Sequence, residues 1–249
     1  MFNNANNKDV SGVKGVKDVI IALDFPDAAK VYSFLDRFTE VRPFVKVGME
    51  LFYAQGPELV SKLTEQGYKV FLDLKLHDIP NTVKRAMERL AGLGVHMVNL
   101  HAAGGSEMMK YALEGLTDGS GTRPILIAVT QLTSTGADML KNELLIDRGM
   151  EETVLHYADV AKSAGLDGVV CSPLESAGVK AHCGSEFLTV TPGIRFADSG
   201  RDDQKRITTP AGARQLGSDY IVVGRPITAA EDPLLAYNRC RTEFLGELV

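Results

Sequence analysis

The pattern of hydrophobic and polar positions divides the chain into short apolar runs, most of them followed by a stretch with helical periodicity. The eight runs, which we predict to be strands, cover residues 19–23, 44–47, 69–73, 97–101, 125–129, 168–171, 187–190 and 220–223. Helical periodicity is clearest over residues 57–66, 81–93, 151–164 and 233–245. Because the strand runs are continuously apolar rather than alternating, they are typical of parallel strands buried on both faces.

Eight strand–helix units in a chain of 249 residues predict an α/β fold, a single-domain (β/α)8 TIM barrel. The structural alternative is an open, doubly wound sheet. Its GxGxxG fingerprint is missing after the first strand, where the sequence reads Leu23-Asp24-Phe25-Pro26. We predict a polar N-terminal extension over residues 1–18 and one barrel domain over residues 19–249, since no linker or low-complexity segment divides the chain.

Composition excludes several classes of protein. A hydrophobic share of 45% and a charged share of 24% are typical of a soluble globular protein with a sizeable core. No apolar run approaches the roughly 20 residues that span a bilayer, and the polar N-terminus lacks the apolar segment of a signal peptide, so we expect a cytoplasmic location and no membrane partner. A net charge of -5 argues against a broad nucleic-acid surface, and an anionic ligand would need a local cluster of basic groups.

Cysteine and histidine usage predicts neither a disulfide framework nor a metal site. The three cysteines, Cys171, Cys183 and Cys240, form no CxxC pair, and we predict reduced packing residues. The five histidines are scattered and show no HxxxH or HExxH spacing.

Polar residues gather where the predicted strands end, which is where a TIM barrel carries its active site. They are Asp24, Lys46, Asp73, Lys75, Asp78, His101, Thr133, Gly224 and Arg225. Asp27, by contrast, is predicted to cap the helix that follows the first strand. Lys46 stands between two valines in an otherwise apolar run, and it needs an anionic partner because an unpaired buried ammonium group is very costly.

The segment from Phe71 to Thr82 is the richest in chemistry. Alternation along a strand places Asp73 and Lys75 on one face, opposite to Leu72 and Leu74. Asp78 follows within one turn, before a predicted helix. One interpretation is a structural ion-pair network in which Lys75 lies between two carboxylates. The other is an active site, which is favoured because Lys46 completes an array of two lysines and two aspartates.

Two histidines and one long loop complete the predicted site. We predict a structural role for His77 and a supporting role for His101. The loops after strands seven and eight commonly hold a phosphate in these barrels, which favours a phosphate site at Gly224 and Arg225. The polar loop over residues 192–206, which carries Arg195 and Gln204, is long enough to be a lid.

The segment Asp73–Thr82, DLKLHDIPNT, resembles the signature of the orotidine 5'-phosphate decarboxylase family. The resemblance covers nearly the whole chain, and continues at residues 23–24, 46–48, 129–134, 191–195 and 223–227. The DxKxxD element alone is shared with related barrels such as 3-keto-gulonate-phosphate decarboxylase and hexulose-phosphate synthase. The continuation Ile79–Thr82 and the loop that follows strand seven are more specific to the orotidylate enzyme.

The resemblance implies decarboxylation of orotidine 5'-phosphate to UMP and CO2, the last step of de novo pyrimidine biosynthesis, by a homodimer without metal or cofactor. It implies that Asp24 and Lys46 bind the ribose hydroxyls, that Asp73 faces the substrate carboxylate and that Lys75 protonates C6. Lys75, Asp73, Asp78 and Lys46 would form the catalytic set. The remaining implied contacts are Asp78 and Thr82 in the site of the partner subunit, Thr133 at the pyrimidine, and Arg195, Gln204, Gly224 and Arg225 at the phosphate.

Two other functions stay open at this point. One is a magnesium-dependent sugar-phosphate decarboxylase or lyase on the same barrel. The other is a nucleotide-binding barrel without catalytic activity, although the intact set of Asp73, Lys75 and Asp78 argues against it.

Overall fold

The computed structural model describes residues 17–117, 119–198 and 207–246. Within them, eight parallel strands form a closed barrel in chain order, and the last strand pairs with the first. The strands are β1 (Asp18–Ala22), β2 (Phe44–Gly48), β3 (Val70–Leu76), β4 (Met97–His101), β5 (Ile125–Val129), β6 (Gly168–Val170), β7 (Leu188–Thr191) and β8 (Tyr220–Val223). The predicted (β/α)8 barrel is confirmed, with β3 running three residues beyond the apolar run that predicted it.

Ten α-helices follow these strands within the described ranges, eight of them between two strands and the last two after β8. They are α1 (Ala28–Leu35), α2 (Met49–Glu65), α3 (Pro80–Ala91), α4 (Gly105–Leu116), α5 (Ala137–Asn142), α6 (Met150–Ser163), α7 (Ser176–Cys183), α8 (Pro210–Gln215), α9 (Arg225–Thr228) and α10 (Pro233–Leu245). The predicted start of the second helix at Pro57 was wrong, because Gly56 with φ 69° kinks α2 without ending it. Asp27 is the predicted cap, since its carboxylate accepts a hydrogen bond from the backbone N–H of Lys30 at 2.9 Å.

Side chains of the strands form two separate hydrophobic clusters, one on each face of the sheet. The outer cluster packs the barrel against its helices and includes Val45, Val47, Leu72 and Leu100. The inner cluster fills the lumen with Ile20, Phe44, Phe71, Met97, Ile125, Ile127, Leu188, Val190 and Tyr220. This alternation is the strand period of two, and it confirms that Leu72 and Leu74 face the helices.

The lumen changes from apolar to polar within two residues along three neighbouring strands. Phe44 of the inner cluster is followed at the next inward position by Lys46, Phe71 by Asp73, and Met97 by Asn99. The apolar residues therefore form a floor, and the polar residues form the layer above it, toward the C-terminal ends of the strands.

Ion pairs tie neighbouring strands together at the opposite end of the barrel. Asp167, directly before β6, receives a hydrogen bond from the backbone N–H of Leu126 at 2.7 Å and pairs with Arg123. Asp219, directly before β8, accepts from the backbone N–H of Thr189 at 2.7 Å and pairs with Lys180. These contacts stabilise the N-terminal end of the barrel and leave the C-terminal end for the site.

The three cysteines are buried and free, as predicted. None of the helices in the described ranges combines the length and the apolar character needed to cross a bilayer. Strand β1 begins at Asp18, one residue before the predicted domain boundary. Most of the predicted N-terminal extension, residues 1–16, and part of the predicted lid, residues 199–206 with Gln204, lie outside the described residues.

We predict that Gly115→Ala destabilises the protein. A Cβ atom at Gly115 of α4 would lie 2.3 Å from the backbone oxygen of Lys84 on α3, so the two helices must move apart. Overpacking of this kind costs about 1–3 kcal/mol, which exceeds what alanine gains over glycine in a helix. Gly119→Ala is the control, because a Cβ there meets nothing within 4 Å. Urea unfolding measures both variants, and equal midpoints would contradict the close packing of α3 on α4.

Candidate active site

Four charged side chains from the C-terminal ends of β1, β2 and β3 form a continuous array. The Nζ atom of Lys46 lies 3.3 Å from Oδ1 of Asp24 and 3.4 Å from Oδ2 of Asp73. The Nζ atom of Lys75 donates to Oδ1 of Asp73 at 2.6 Å. The structure therefore brings four of the predicted residues together, with the Asp73 carboxylate between two ammonium groups.

Burial grades across this array from the lumen to the mouth of the barrel. The side chains of Lys46 and Asp73 are 11% and 12% exposed, whereas that of Asp24 is 63% exposed. Burial by itself would raise the pKa of Asp73, but the ammonium groups of Lys46 and Lys75 and hydrogen bonds from Lys75 and Asn99 outweigh it, and the pKa is lowered. Asp73 is therefore a carboxylate at neutral pH.

Gly48, at the end of β2, leaves the space that the Lys46 ammonium group occupies. A Cβ atom at this position would lie 2.9 Å from Nζ of Lys46 and 3.6 Å from Oδ1 of Asp24. Contacts below 3.0 Å essentially do not occur for real Cβ atoms. A side chain at position 48 would therefore make the Lys46 ammonium group shift from the place where it pairs with Asp24.

Asn99 is a site residue that the sequence interpretation missed. It is 1% exposed, its Nδ2 atom donates to Oδ1 of Asp73 at 2.7 Å, and its Oδ1 atom accepts from the backbone N–H of Lys75 at 2.8 Å. The sequence feature that could have identified it is an amide inside the apolar run Met97–His101, two positions after Met97 and therefore on the same face of the strand. Because a neutral amide does not require an ionic partner, its place in the sequence does not mark Asn99 as a site residue.

The backbone of Lys75 has an uncommon conformation. Its φ is 53°, in the left-handed region that non-glycine residues rarely adopt, and such strain costs about 1–3 kcal/mol. The pairing of β3 with β4 shifts register between Leu72 and Leu76 at the same place. Strained residues cluster at functional sites, and this one carries the predicted proton donor.

Asp78 and Thr82 are not joined to the charged array by any ion pair within the described part of their own chain. Both are exposed, and Oδ1 of Asp78 accepts a hydrogen bond from the backbone N–H of Ile79 at 2.7 Å, at the start of α3. Among the residues that the structure describes, Lys75 forms an ion pair with Asp73 and none with Asp78. These residues therefore do not form the structural ion-pair network in which Lys75 lies between Asp73 and Asp78 of the same chain.

The two histidines face each other at the rim of the site, with ring centroids 5.7 Å apart. Burial, followed by the nearby His77 and Lys75, lowers the pKa of His101, so its ring is neutral at pH 7. The structural role of His77 and the supporting role of His101 stay predictions.

The predicted phosphate residues stand at the ends of β7 and β8. A Cβ atom at Gly224 would lie 3.8 Å from Oδ2 of Asp24, so the Gly224-Arg225 turn borders the charged array. Arg195 is 9% exposed, and its backbone N–H donates to the carbonyl oxygen of Thr208 at 3.0 Å, which joins the two ends of the loop after β7. Thr133 is half-buried in the segment that follows β5.

The chemistry available here is that of fixed charges. Within residues 17–117, 119–198 and 207–246, no group of three or more His, Cys, Asp or Glu side chains is arranged to hold a metal ion. The array offers a lysine ammonium group next to a carboxylate, above an apolar floor at the mouth of the barrel, beside residues that suit a phosphate.

Comparison with known proteins gives the family. A family model described as "Orotidine 5'-phosphate decarboxylase / HUMPS family" matches residues 17–240. The chain belongs to this family. Its members include a protein of Geobacillus sp. (strain WCH70), named orotidine 5'-phosphate decarboxylase, which is 59% identical over 231 residues, 92% of this chain and 97% of that protein. A protein of Bacillus cytotoxicus with the same name is 58% identical over 236 residues, 94% of this chain and 99% of that protein.

Solved structures from this family have the same fold. The crystal structure of orotidine 5'-phosphate decarboxylase from Lactobacillus acidophilus has a TM-score of 0.82 and 47% sequence identity, and the match covers 92% of this chain and 99% of that chain. The family that DLKLHDIPNT predicted is thereby confirmed.

Proposed function

We propose that this protein is a carboxy-lyase that converts orotidine 5'-phosphate to UMP and CO2, the last step of de novo pyrimidine biosynthesis. The observation that carries this proposal is the Lys75 ammonium group held 2.6 Å from the buried Asp73 carboxylate, in a chain of the orotidine 5'-phosphate decarboxylase / HUMPS family. Relatives 58–59% identical over nearly the full length bear the name of this enzyme.

The reaction explains why a fixed ammonium group is required. Breaking the bond between C6 and the carboxylate leaves an electron pair on an sp2 carbon, where delocalisation is small. Stabilisation therefore has to come from preorganised charge, and Lys75 supplies it where the negative charge develops. The C6 atom then takes a proton from Nζ of Lys75, and the neutral amine is reprotonated from solvent.

Asp73 has two effects in this proposal. Its carboxylate orients the Lys75 ammonium group, since the two are joined by a hydrogen bond of 2.6 Å. It also faces the departing substrate carboxylate, and this repulsion ranks below the stabilisation of the developing negative charge by Lys75. Lys46 contributes by keeping Asp73 ionised, through its contact at 3.4 Å.

The remainder of the substrate extends along the mouth of the barrel. Asp24 and Lys46 bind the ribose hydroxyls, and Thr133 contacts the pyrimidine. Arg195, Gln204, Gly224 and Arg225 hold the phosphate, which fits the position of Gly224 beside Asp24. Phosphate binding far from C6 then contributes to catalysis through closure of the loop over the substrate.

The active protein is a homodimer in this proposal, and each site takes Asp78 and Thr82 from the partner subunit. Support comes from the exposure of Asp78, from its lack of an ion pair with Lys75 among the described residues, and from the adjacent Ile79, an apolar side chain 68% exposed. We also propose a cytoplasmic location, because three buried free thiols are typical of a reducing compartment.

The first test is turnover of orotidine 5'-phosphate in the presence of EDTA, followed by the loss of ultraviolet absorbance. The protein is expected to remain fully active, and Lys75→Ala is expected to lose at least about 100-fold in kcat while UMP binding, measured by calorimetry, is retained. Lys62→Ala is the control, because that exposed lysine pairs only with Glu58 on its own helix in the described structure.

Three outcomes would contradict the proposal in different ways. Activity that EDTA removes and magnesium restores would favour the sugar-phosphate decarboxylase or lyase. UMP binding without turnover by the unmodified protein would favour a nucleotide-binding barrel without catalysis. Near-normal kcat for Lys75→Ala would remove the proton-donor role alone.

The shared site is tested by mixing two inactive variants, Lys75→Ala and Asp78→Ala, under conditions that allow subunits to exchange. In each heterodimer one site would carry both lesions and the other neither. Random exchange makes about half of the dimers mixed, each with one intact site of two, so activity should return to roughly one quarter of the unmodified level. If mass spectrometry confirms heterodimers and no activity returns, both residues act within one chain.

A further inference from the structure

Asn99 occupies a position in the array that none of the roles above explains. It lies on β4 between Val98 and Leu100, which pack outward, and its own side chain points into the lumen. Both ends of its amide are used, since Nδ2 donates to Oδ1 of Asp73 at 2.7 Å and Oδ1 accepts from the backbone N–H of Lys75 at 2.8 Å. At 1% exposure, solvent competes with neither bond.

Hydrogen-bond chemistry fixes the orientation of this amide. If the side chain were rotated by 180°, Nδ2 would face the N–H of Lys75 and Oδ1 would face the Asp73 carboxylate. Both contacts would then be repulsive, donor against donor and acceptor against acceptor. The amide therefore accepts at the backbone of Lys75 and donates to Asp73 in one orientation only.

The same amide compensates for an irregularity in the sheet. Leu72 pairs with Val98 and Leu76 pairs with Leu100, so three residues of β3, 73–75, lie opposite Asn99 alone. In this bulge the N–H of Lys75 bonds to the Asn99 side chain, and the Lys75 backbone has a φ of 53°. Extra residues in a strand redirect side chains, and they are common next to active sites.

We propose that Asn99 is a positioning residue for the decarboxylation, an inference that rests on the proposed function. Its amide couples the Asp73 carboxylate to the left-handed backbone of Lys75 and so fixes the place of the Lys75 ammonium group relative to C6. The charge of Lys46 keeps Asp73 ionised. The neutral amide of Asn99 instead fixes the orientation of the Asp73 carboxylate relative to the Lys75 backbone. Asn99 itself does not touch the substrate.

Substitutions can separate the effects of the two hydrogen bonds that the Asn99 amide makes with Asp73 and with the Lys75 backbone. Asn99→Asp retains an acceptor for the N–H of Lys75, but it removes the donor to Asp73 and adds a negative charge. Asn99→Leu, similar in volume, removes both hydrogen bonds. The matched control is Asn142→Asp, because the Asn142 amide also donates to a carboxylate, Asp138, at 2.6 Å, but on the exposed helix α5.

The decisive measurement is the pH profile of Asn99→Asp. At pH 8 we expect kcat to fall by about 100-fold, as displacement of a catalytic group by about 1 Å does, with UMP affinity within a few fold of the unmodified protein. Burial and the adjacent Asp73 carboxylate raise the pKa of the introduced carboxyl, and they act against the ammonium groups of Lys46 and Lys75 that also contact Asp73. The protonated form of the introduced carboxyl donates as the amide does, so kcat should rise as the pH falls from 8 to 5, which the unmodified protein and Asn142→Asp should not show.

Hydrogen exchange at the Lys75 amide provides a readout that needs no turnover. We expect exchange to be faster by at least about tenfold in Asn99→Leu and to stay slow in Asn99→Asp, which keeps the acceptor. If the unmodified protein shows no turnover, the proposed function fails while this exchange measurement still decides whether Asn99 holds the Lys75 backbone.

The inference is overturned if Asn99→Asp matches Asn142→Asp in kcat and shows no gain at low pH. It is also overturned if the Lys75 amide is equally protected in Asn99→Leu. Circular dichroism checks that each variant folds, and the pH profile of Asn99→Asp decides the matter alone if Asn99→Leu does not fold.

Discussion

The buried carboxylate of Asp73 is the group on which the polar half of the barrel depends. Two ammonium groups and one amide converge on its two oxygens, at distances between 2.6 and 3.4 Å. Removing one partner of such a cluster leaves an uncompensated buried charge, which is far more costly than the net value of any single pair. The positions of Lys46, Lys75 and Asn99 are therefore linked through one side chain.

The apolar floor of the lumen makes this cluster effective. Phe44, Phe71 and Met97 close the barrel directly below Lys46, Asp73 and Asn99. Charges that are buried against an apolar floor interact more strongly than charges in solvent, so both the pairing energy and the field at the substrate increase. Ion pairs at Asp167 and Asp219 stabilise the other end of the barrel.

Much of this arrangement could be predicted from the sequence, since it follows from local rules. Continuous apolar runs predicted the parallel strands, and a lysine between two valines required an anionic partner, which the structure supplies as Asp24 and Asp73. Asn99 could not be ranked in this way, because a neutral amide in a strand creates no charge that demands a partner. The left-handed backbone of Lys75 depends on how β3 pairs with β4, and that register involves residues distant in sequence. The helix α2 was misplaced because Gly56 and Pro57 usually end a helix, whereas here they only kink it.

The most direct test of the account is the titration of the Asp73 carboxyl carbon by NMR in the unmodified protein and in Lys46→Met. The account predicts a midpoint below the ordinary value of 3.8, because the surrounding cations outweigh burial. Removing the Lys46 cation leaves burial less opposed, so the midpoint should rise in Lys46→Met and stay unchanged in Lys62→Met, where the lysine is on the surface. A midpoint at or above 3.8 in the unmodified protein, or one that Lys46→Met leaves unchanged, would contradict the account.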